Sequence, residues 1–116
     1  MRALPDKVLI VEGRQDKLQI APLLTESIPI ICTNGTISAS KLEELLTPYE
    51  QYDLYTLFDE DYSGDRLRAL MKKEYPEAYH LRTLSLYRQV ETTPRKYLAR
   101  VLLAADFEID PAYFIE

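Results

Sequence analysis

The chain has 116 residues, 47% of them apolar, which gives one domain with its own core and excludes an intrinsically disordered chain. A single cysteine, Cys32, excludes an internal disulfide and a cysteine-based zinc site, and it points to a reducing, cytoplasmic compartment. A net charge of −5 argues against indiscriminate binding to phosphate backbones, and neither a leader-like start nor an apolar run near ~18 residues signals a membrane.

Lys7-Val8-Leu9-Ile10-Val11 is a continuous apolar run, of the kind that forms a central strand covered on both faces. It ends in Glu12-Gly13, and a short helix is predicted next, with Asp16 near its start and Pro22 ending or kinking it. Residues Ile28 to Cys32 read as a second strand, which runs into the turn signal Asn34-Gly35. A helix capped by Ser38 or Ser40 follows, striped by Leu42, Leu45, Leu46 and Tyr49 and closed by Pro48. The third strand, Asp53 to Phe58, leads into Asp59-Glu60-Asp61-Tyr62-Ser63-Gly64-Asp65. A helix is predicted from Arg66 to Tyr75, with Leu67, Leu70, Met71 and Tyr75 on one face and Pro76 as its stop. Ala78 to Leu81 is a fourth strand, and Arg82 to Thr92 has no firm period. Thr93-Pro94 predicts an N-cap followed by proline at N1, opening a last helix striped by Leu98, Val101, Leu102 and Ala105. The tail from Asp110 to Ile115 either packs as an edge segment or stays loose. Strands alternating with helices predict an open α/β sheet of parallel β-α units, in one domain.

Four carboxylates in the seven residues Asp59 to Asp65 are costly to crowd together unless a cation neutralises them. Parallel β-α units deliver every strand's carboxyl end to one edge, where open sheets bind ligands. If the first and third strands are neighbours, Glu12, Asp59 and Asp61 share one crevice. Magnesium, with manganese as the alternative, takes hard oxygen ligands and keeps several waters, so one or two carboxylates suffice. A third serves as general acid or base, or holds a second ion. Plainer uses remain open: Asp59 and Ser63 as helix caps, Asp61 and Asp65 in the field of a helix N-terminus. Asp16 is expected as a helix-start residue rather than a ligand. Gly13, Gly35 and Gly64, the only glycines, all fall at these turns.

Other motifs fail on spacing. An EF-hand loop starting at Asp59 would need its glutamate where Leu70 stands, and there is no P-loop and no dinucleotide fingerprint. His80 is the only histidine, so no serine or cysteine triad is credible; it either overlooks the crevice or packs, and Cys32 is assigned to the core. Charge divides along the chain. Residues 1–65 carry a net −7 and residues 66–100 a net +6. In the basic part Arg82, Arg88, Arg95, Lys96 and Arg100 alternate with Tyr87 and Tyr97, which suits either nucleic-acid contact or an ordinary solvated face.

Val11-Glu12-Gly13-Arg14-Gln15-Asp16, then Thr33-Asn34-Gly35, then Asp59-Glu60-Asp61-Tyr62-Ser63-Gly64 resemble the ordered motifs of a Toprim domain, the module shared by topoisomerases, bacterial primases and several nucleases. The likeness spans residues 7–81, with 82–116 as a C-terminal extension that opens on the basic stretch. It is nearest to small stand-alone Toprim proteins and to the Toprim half of the maturase that trims precursor 5S ribosomal RNA. The resemblance implies a compact Rossmann-like sheet, magnesium on Asp59 and Asp61 with Glu12 beside them, and Glu12 as general acid or base. It also implies phosphodiester chemistry on nucleic acid, RNA rather than DNA. Arg82, Arg88, Arg95 and Lys96 are the candidate phosphate contacts. The alternative is a non-catalytic nucleic-acid- or nucleotide-binding module, or a subunit that acts with a protein partner, since the maturase's C-terminal half has no counterpart here.

Overall fold

The four apolar runs become four parallel strands in one sheet. In the computed structural model, which describes residues 6–83 and 86–114, these are β1 (Lys7–Val11), β2 (Ile30–Cys32), β3 (Asp53–Leu57) and β4 (Tyr79–Leu81), in the order β2-β1-β3-β4. Leu9 aligns with Ile30 on one side and Tyr55 on the other, and Tyr55 aligns with Tyr79. The start of the chain, two residues of the aperiodic 82–92 stretch and Ile115 of the expected tail lie outside the described residues.

Side chains alternate across the sheet because successive strand residues point to opposite faces. Leu9, Val11, Ile30, Cys32, Tyr55, Leu57 and Leu81 face one layer. That layer holds α1 (Arg14–Ile20) and α4 (Arg95–Ala104), through Ile20, Leu98, Ala99 and Leu102, with Phe107 and Ile109 beyond them. Ile10, Ile31, Leu54 and Phe58 face the other layer, formed by α2 (Ala39–Leu46) and α3 (Tyr62–Glu74) through Leu42, Leu46, Leu67 and Met71. Each such side chain contributes ~1.5–3 kcal/mol on burial. β1, whose Val8 to Val11 are wholly buried, is the strand the sheet is built on.

The expected boundaries shift for local reasons. β2 starts at Ile30, since Pro29 has no N–H for the ladder, although its carbonyl accepts from Leu9 N–H (3.0 Å). Ser38 caps α2, accepting from Lys41 N–H (3.2 Å), and Pro48 lies in a 3-10 turn, Thr47–Tyr49, that ends it. α3 begins at Tyr62, four residues before the expected Arg66, because Asp61 caps it. Thr93 does not cap α4. Its hydroxyl donates to Gln89 O (2.7 Å) and its N–H to Val90 O (3.1 Å), closing the 3-10 turn Val90–Thr92 and leaving the cap position to Pro94. The tail packs: Leu24 and Ile109 form an antiparallel bridge, and Asp110 N–H donates to Leu23 O (2.8 Å). No helix among the described residues is long and apolar enough to cross a membrane.

Candidate metal centre

Because β1 and β3 are adjacent and parallel, the residues that follow them emerge side by side. One carboxylate oxygen each from Glu12, Asp59 and Asp61 lie within 4.8 Å of one another. Each group is oriented by a donor. Asp59 N–H and Ser63 Oγ–H donate to the two oxygens of Glu12 (3.2 Å each). Val90 N–H donates to Asp59 Oδ1 (2.7 Å), and Gly64 N–H to Asp61 Oδ1 (2.8 Å). At Gly64 the chain passes so close to the Asp59 carbonyl that any Cβ would collide with it. After β2, Asn34 (φ 60°) and Gly35 (φ 95°) turn through the left-handed region, where glycine has no steric penalty. Their N–H groups donate to Glu12 O (2.7 and 3.3 Å), so Gly35 fixes the backbone of Glu12 and stands outside the carboxylate group.

The acidic turn sorts into two sets. Arg68, only 3% exposed, donates to Phe58 O (3.4 Å), Asp59 O (3.1 Å) and Asp65 Oδ1 (2.6 Å), and pairs with Glu60 (3.6 Å). Arg82 adds contacts to Glu60 (3.3 Å) and Asp65 (3.8 Å). Glu60 and Asp65 are thus neutralised by protein, and the Arg68 hydrogen bond holds the Asp65 carboxyl below its usual range. Among the described residues no ion pair includes Glu12, Asp59 or Asp61. Burial, and then the charges of Asp59 and Asp61, raise the Glu12 carboxyl; burial, and then Asp61, raise that of Asp59. Three half-buried oxygen donors, none of them in an ion pair among the described residues, fit a divalent ion.

An uncharacterized protein, YusF, of Bacillus subtilis (strain 168) is 46% identical over 104 residues, covering 90% of this chain and 71% of that one. A solved small TOPRIM domain protein from Bacillus stearothermophilus superposes with a TM-score of 0.91 at 44% identity, covering 98% of this chain and 97% of that one. The chain belongs to the small Toprim domain proteins. No protein-family model matches it. The Toprim fold as a class binds divalent metal and associates with nucleic acid, and here the acidic cluster lies at the carboxyl edge of its sheet.

Around this Toprim centre the remaining candidates take separate places. Asp16 Oδ2 accepts from Gly13 N–H (3.0 Å) at the start of α1, and burial raises its carboxyl to about 6. His80 bonds Thr56 Oγ1 through Nδ1 (2.7 Å) in the β3–β4 pair, and burial, then nearby Lys72, holds its imidazole low. Of the basic residues, Arg82 is engaged by Glu60 and Asp65, and Arg95 Nε donates to Gln19 Oε1 (3.2 Å). Arg88 is exposed, while its carbonyl accepts from Glu60 N–H (2.6 Å). Lys96 and Arg100 lie 5.8 and 5.6 Å from the Tyr97 ring centroid. Three contributors escaped the sequence: Val90, Arg68 and Ser63 in its bond to Glu12. The Asp65–Arg68 spacing of three on one helix was a usable signal; a backbone N–H such as Val90's leaves none.

Proposed function

We propose that this Toprim chain performs magnesium-dependent phosphodiester chemistry on nucleic acid, with residues 1–116 acting as one domain in the cytoplasm. The observation that carries it is the Glu12, Asp59 and Asp61 group, within 4.8 Å and, among the described residues, in no ion pair with a protein cation. Asp59 and Asp61 would hold magnesium or manganese, with Glu12 beside them. When bound, such an ion supplies Lewis acidity toward a phosphoryl oxygen. Glu12 holds or moves the proton: burial and the charge of Asp59 raise its carboxyl, and two hydrogen-bond donors fix its oxygens, which suits a general acid or base. RNA is favoured over DNA on the likeness to the ribosomal RNA maturase.

A magnesium- or manganese-dependent cleavage assay on structured RNA and DNA tests this. Glu12→Gln should lower the rate ~10²–10⁴-fold with little change in affinity, and equal rates would remove Glu12 from the mechanism. A second reading is favoured by the ties of Arg82 and Arg95, which leave fewer free cations for phosphate. In it the chain is a binding module, or a subunit whose protein partner grips the substrate. Metal binding without turnover by the chain alone, and turnover restored by a partner, would select it.

A further inference from the structure

Beside the carboxylates lies an open cleft of about 520 Å³, lined by Asp61, Leu86, Tyr87, Arg88, Gln89 and Thr92. Its wall is fastened to the acidic turn at two points: Glu60 N–H donates to Arg88 O (2.6 Å), and Val90 N–H donates to Asp59 Oδ1 (2.7 Å). Val90 is wholly buried beneath it, and Thr83 Oγ1 donates to Tyr87 O (3.0 Å). The wall is therefore held at a fixed distance from the carboxylates. Leu86 is 79% exposed. The Tyr87 ring lies 5.5 Å from that of Tyr97, tilted by 37°, and Lys96 and Arg100 sit over Tyr97.

These groups match the parts of one nucleotide. An aromatic face and an exposed leucine suit a base plane, an amide and a hydroxyl suit its polar edge, and a guanidinium suits its phosphate. A duplex keeps its base planes stacked and offers proteins phosphates and groove edges. Asp61 belongs to both the cleft and the carboxylate group, so a nucleotide seated here brings its phosphate to that group. We propose that the cleft seats one unpaired nucleotide, making single-stranded or locally melted nucleic acid the substrate class, which rests on nucleic acid being the substrate of the site. The Tyr97, Lys96 and Arg100 group continues the track for the neighbouring residue of the strand.

The test is binding, separate from cleavage. Fluorescence anisotropy in calcium at fixed salt compares a labelled single strand with a duplex of the same sequence, as RNA and as DNA. The single strand should bind at least ~10-fold tighter. Tyr87→Ala should weaken it ~5- to 100-fold and leave the duplex unchanged, whereas Tyr87→Phe keeps wild-type binding. Arg88→Ala should reduce the salt slope for the single strand by about 0.7. The chain has no tryptophan, so Tyr87→Trp gives one fluorophore that single strands should quench and duplexes should not, even if Tyr87→Ala misfolds. Equal affinity for both forms, or no quenching by single strands, overturns the proposal. If duplexes are bound and cleaved with magnesium, only the unpaired substrate falls. If nothing is bound or cleaved, the nucleic-acid function falls with it.

Discussion

Asp16 is 6% exposed, caps the first turn of α1 through Gly13 N–H, and has its carboxyl raised by burial from 3.8 to about 6. Between these values the folded protein binds more protons than the unfolded chain. Its contribution is therefore full below pH ~4 and lost as pH rises through about 6, by ~3 kcal/mol at most. Asp16→Asn keeps the acceptor for Gly13 and cannot ionise. It should stabilise the metal-free protein at pH 7.5 and change little at pH 4, measured by urea unfolding in chelator; the same difference at both pH values would show that charge is not the cause. Gly64→Ala makes the opposite kind of test. The new methyl meets the Asp59 carbonyl, which is backbone and cannot swing aside, so a loss of at least ~1–3 kcal/mol is expected. The metal-induced thermal shift should shrink with it, because Asp59 moves. A full shift retained by Gly64→Ala would show the turn to be slack. At this scale the sequence was informative about acids and glycines, whose chemistry is in the side chain or in its absence. It was silent on Val90, which contributes a backbone donor that any residue except proline would supply.

The turn between β3 and α3 works as an element because Arg68 binds its backbone from inside. With its guanidinium on two carbonyls and two carboxylates, Arg68 sets the path on which Asp59 and Asp61 stand. Arg68→Ala leaves the Phe58 and Asp59 carbonyls without their side-chain donor and Glu60 with Arg82 alone, and should cost ~3–5 kcal/mol. Arg68→Lys keeps the charge but loses the fork, so it should fold while binding metal more weakly than wild type. Calorimetric titration with manganese checks this; unchanged affinity in Arg68→Lys would make Arg68 a purely structural residue. The four strands and the last three helices were legible from apolar patterning, α1 only from its place between Glu12-Gly13 and Pro22, and β1 was read to the residue. The start of α3 was not: the cap was expected at Asp59 or Ser63, and Asp61 Oδ1 takes that hydrogen bond instead. Thr93-Pro94 misled for a related reason: the Thr93 hydroxyl had a nearer carbonyl, that of Gln89.

Over the whole molecule, the carboxylate centre opposes folding until a cation arrives. Glu12 and Asp59 are both raised by burial and then by neighbouring carboxylates, Asp59 and Asp61 acting on Glu12 and Asp61 acting on Asp59, so their stabilising contribution, like that of Asp16, is present at low pH and lost as pH rises. In chelator the melting temperature should fall as pH increases above ~4. With millimolar magnesium or manganese that slope should flatten or reverse, since binding to the folded state stabilises by RT ln(1 + [L]/Kd) and needs deprotonated ligands. Asp59→Asn/Asp61→Asn should abolish the metal-dependent difference. A double variant that keeps the entire shift would place the ion elsewhere. The arrangement of the fold was readable at this scale because strand order had only to bring the first and third strands together, which parallel β-α units do readily. Beyond Leu81 the stripe of α4 marked Leu98 and Leu102 for the core, but the packing of Val90, Phe107 and Ile109 was not readable, because they reach it without a repeating pattern.

The hydrogen bond from Val90 to Asp59 joins positions 31 residues apart in sequence. The nascent chain has all three carboxylates once Asp61 is made, yet the donor that aims one of them comes from a segment synthesised later. The centre is therefore expected to assemble late and to open early. On that expectation a cation bound there stabilises a contact absent from the main barrier, and should act as a latch on the finished protein. In stopped-flow measurements magnesium should slow unfolding and leave the refolding rate nearly unchanged. Acceleration of refolding by magnesium, with unfolding unaffected, would put the carboxylates in the folding nucleus instead.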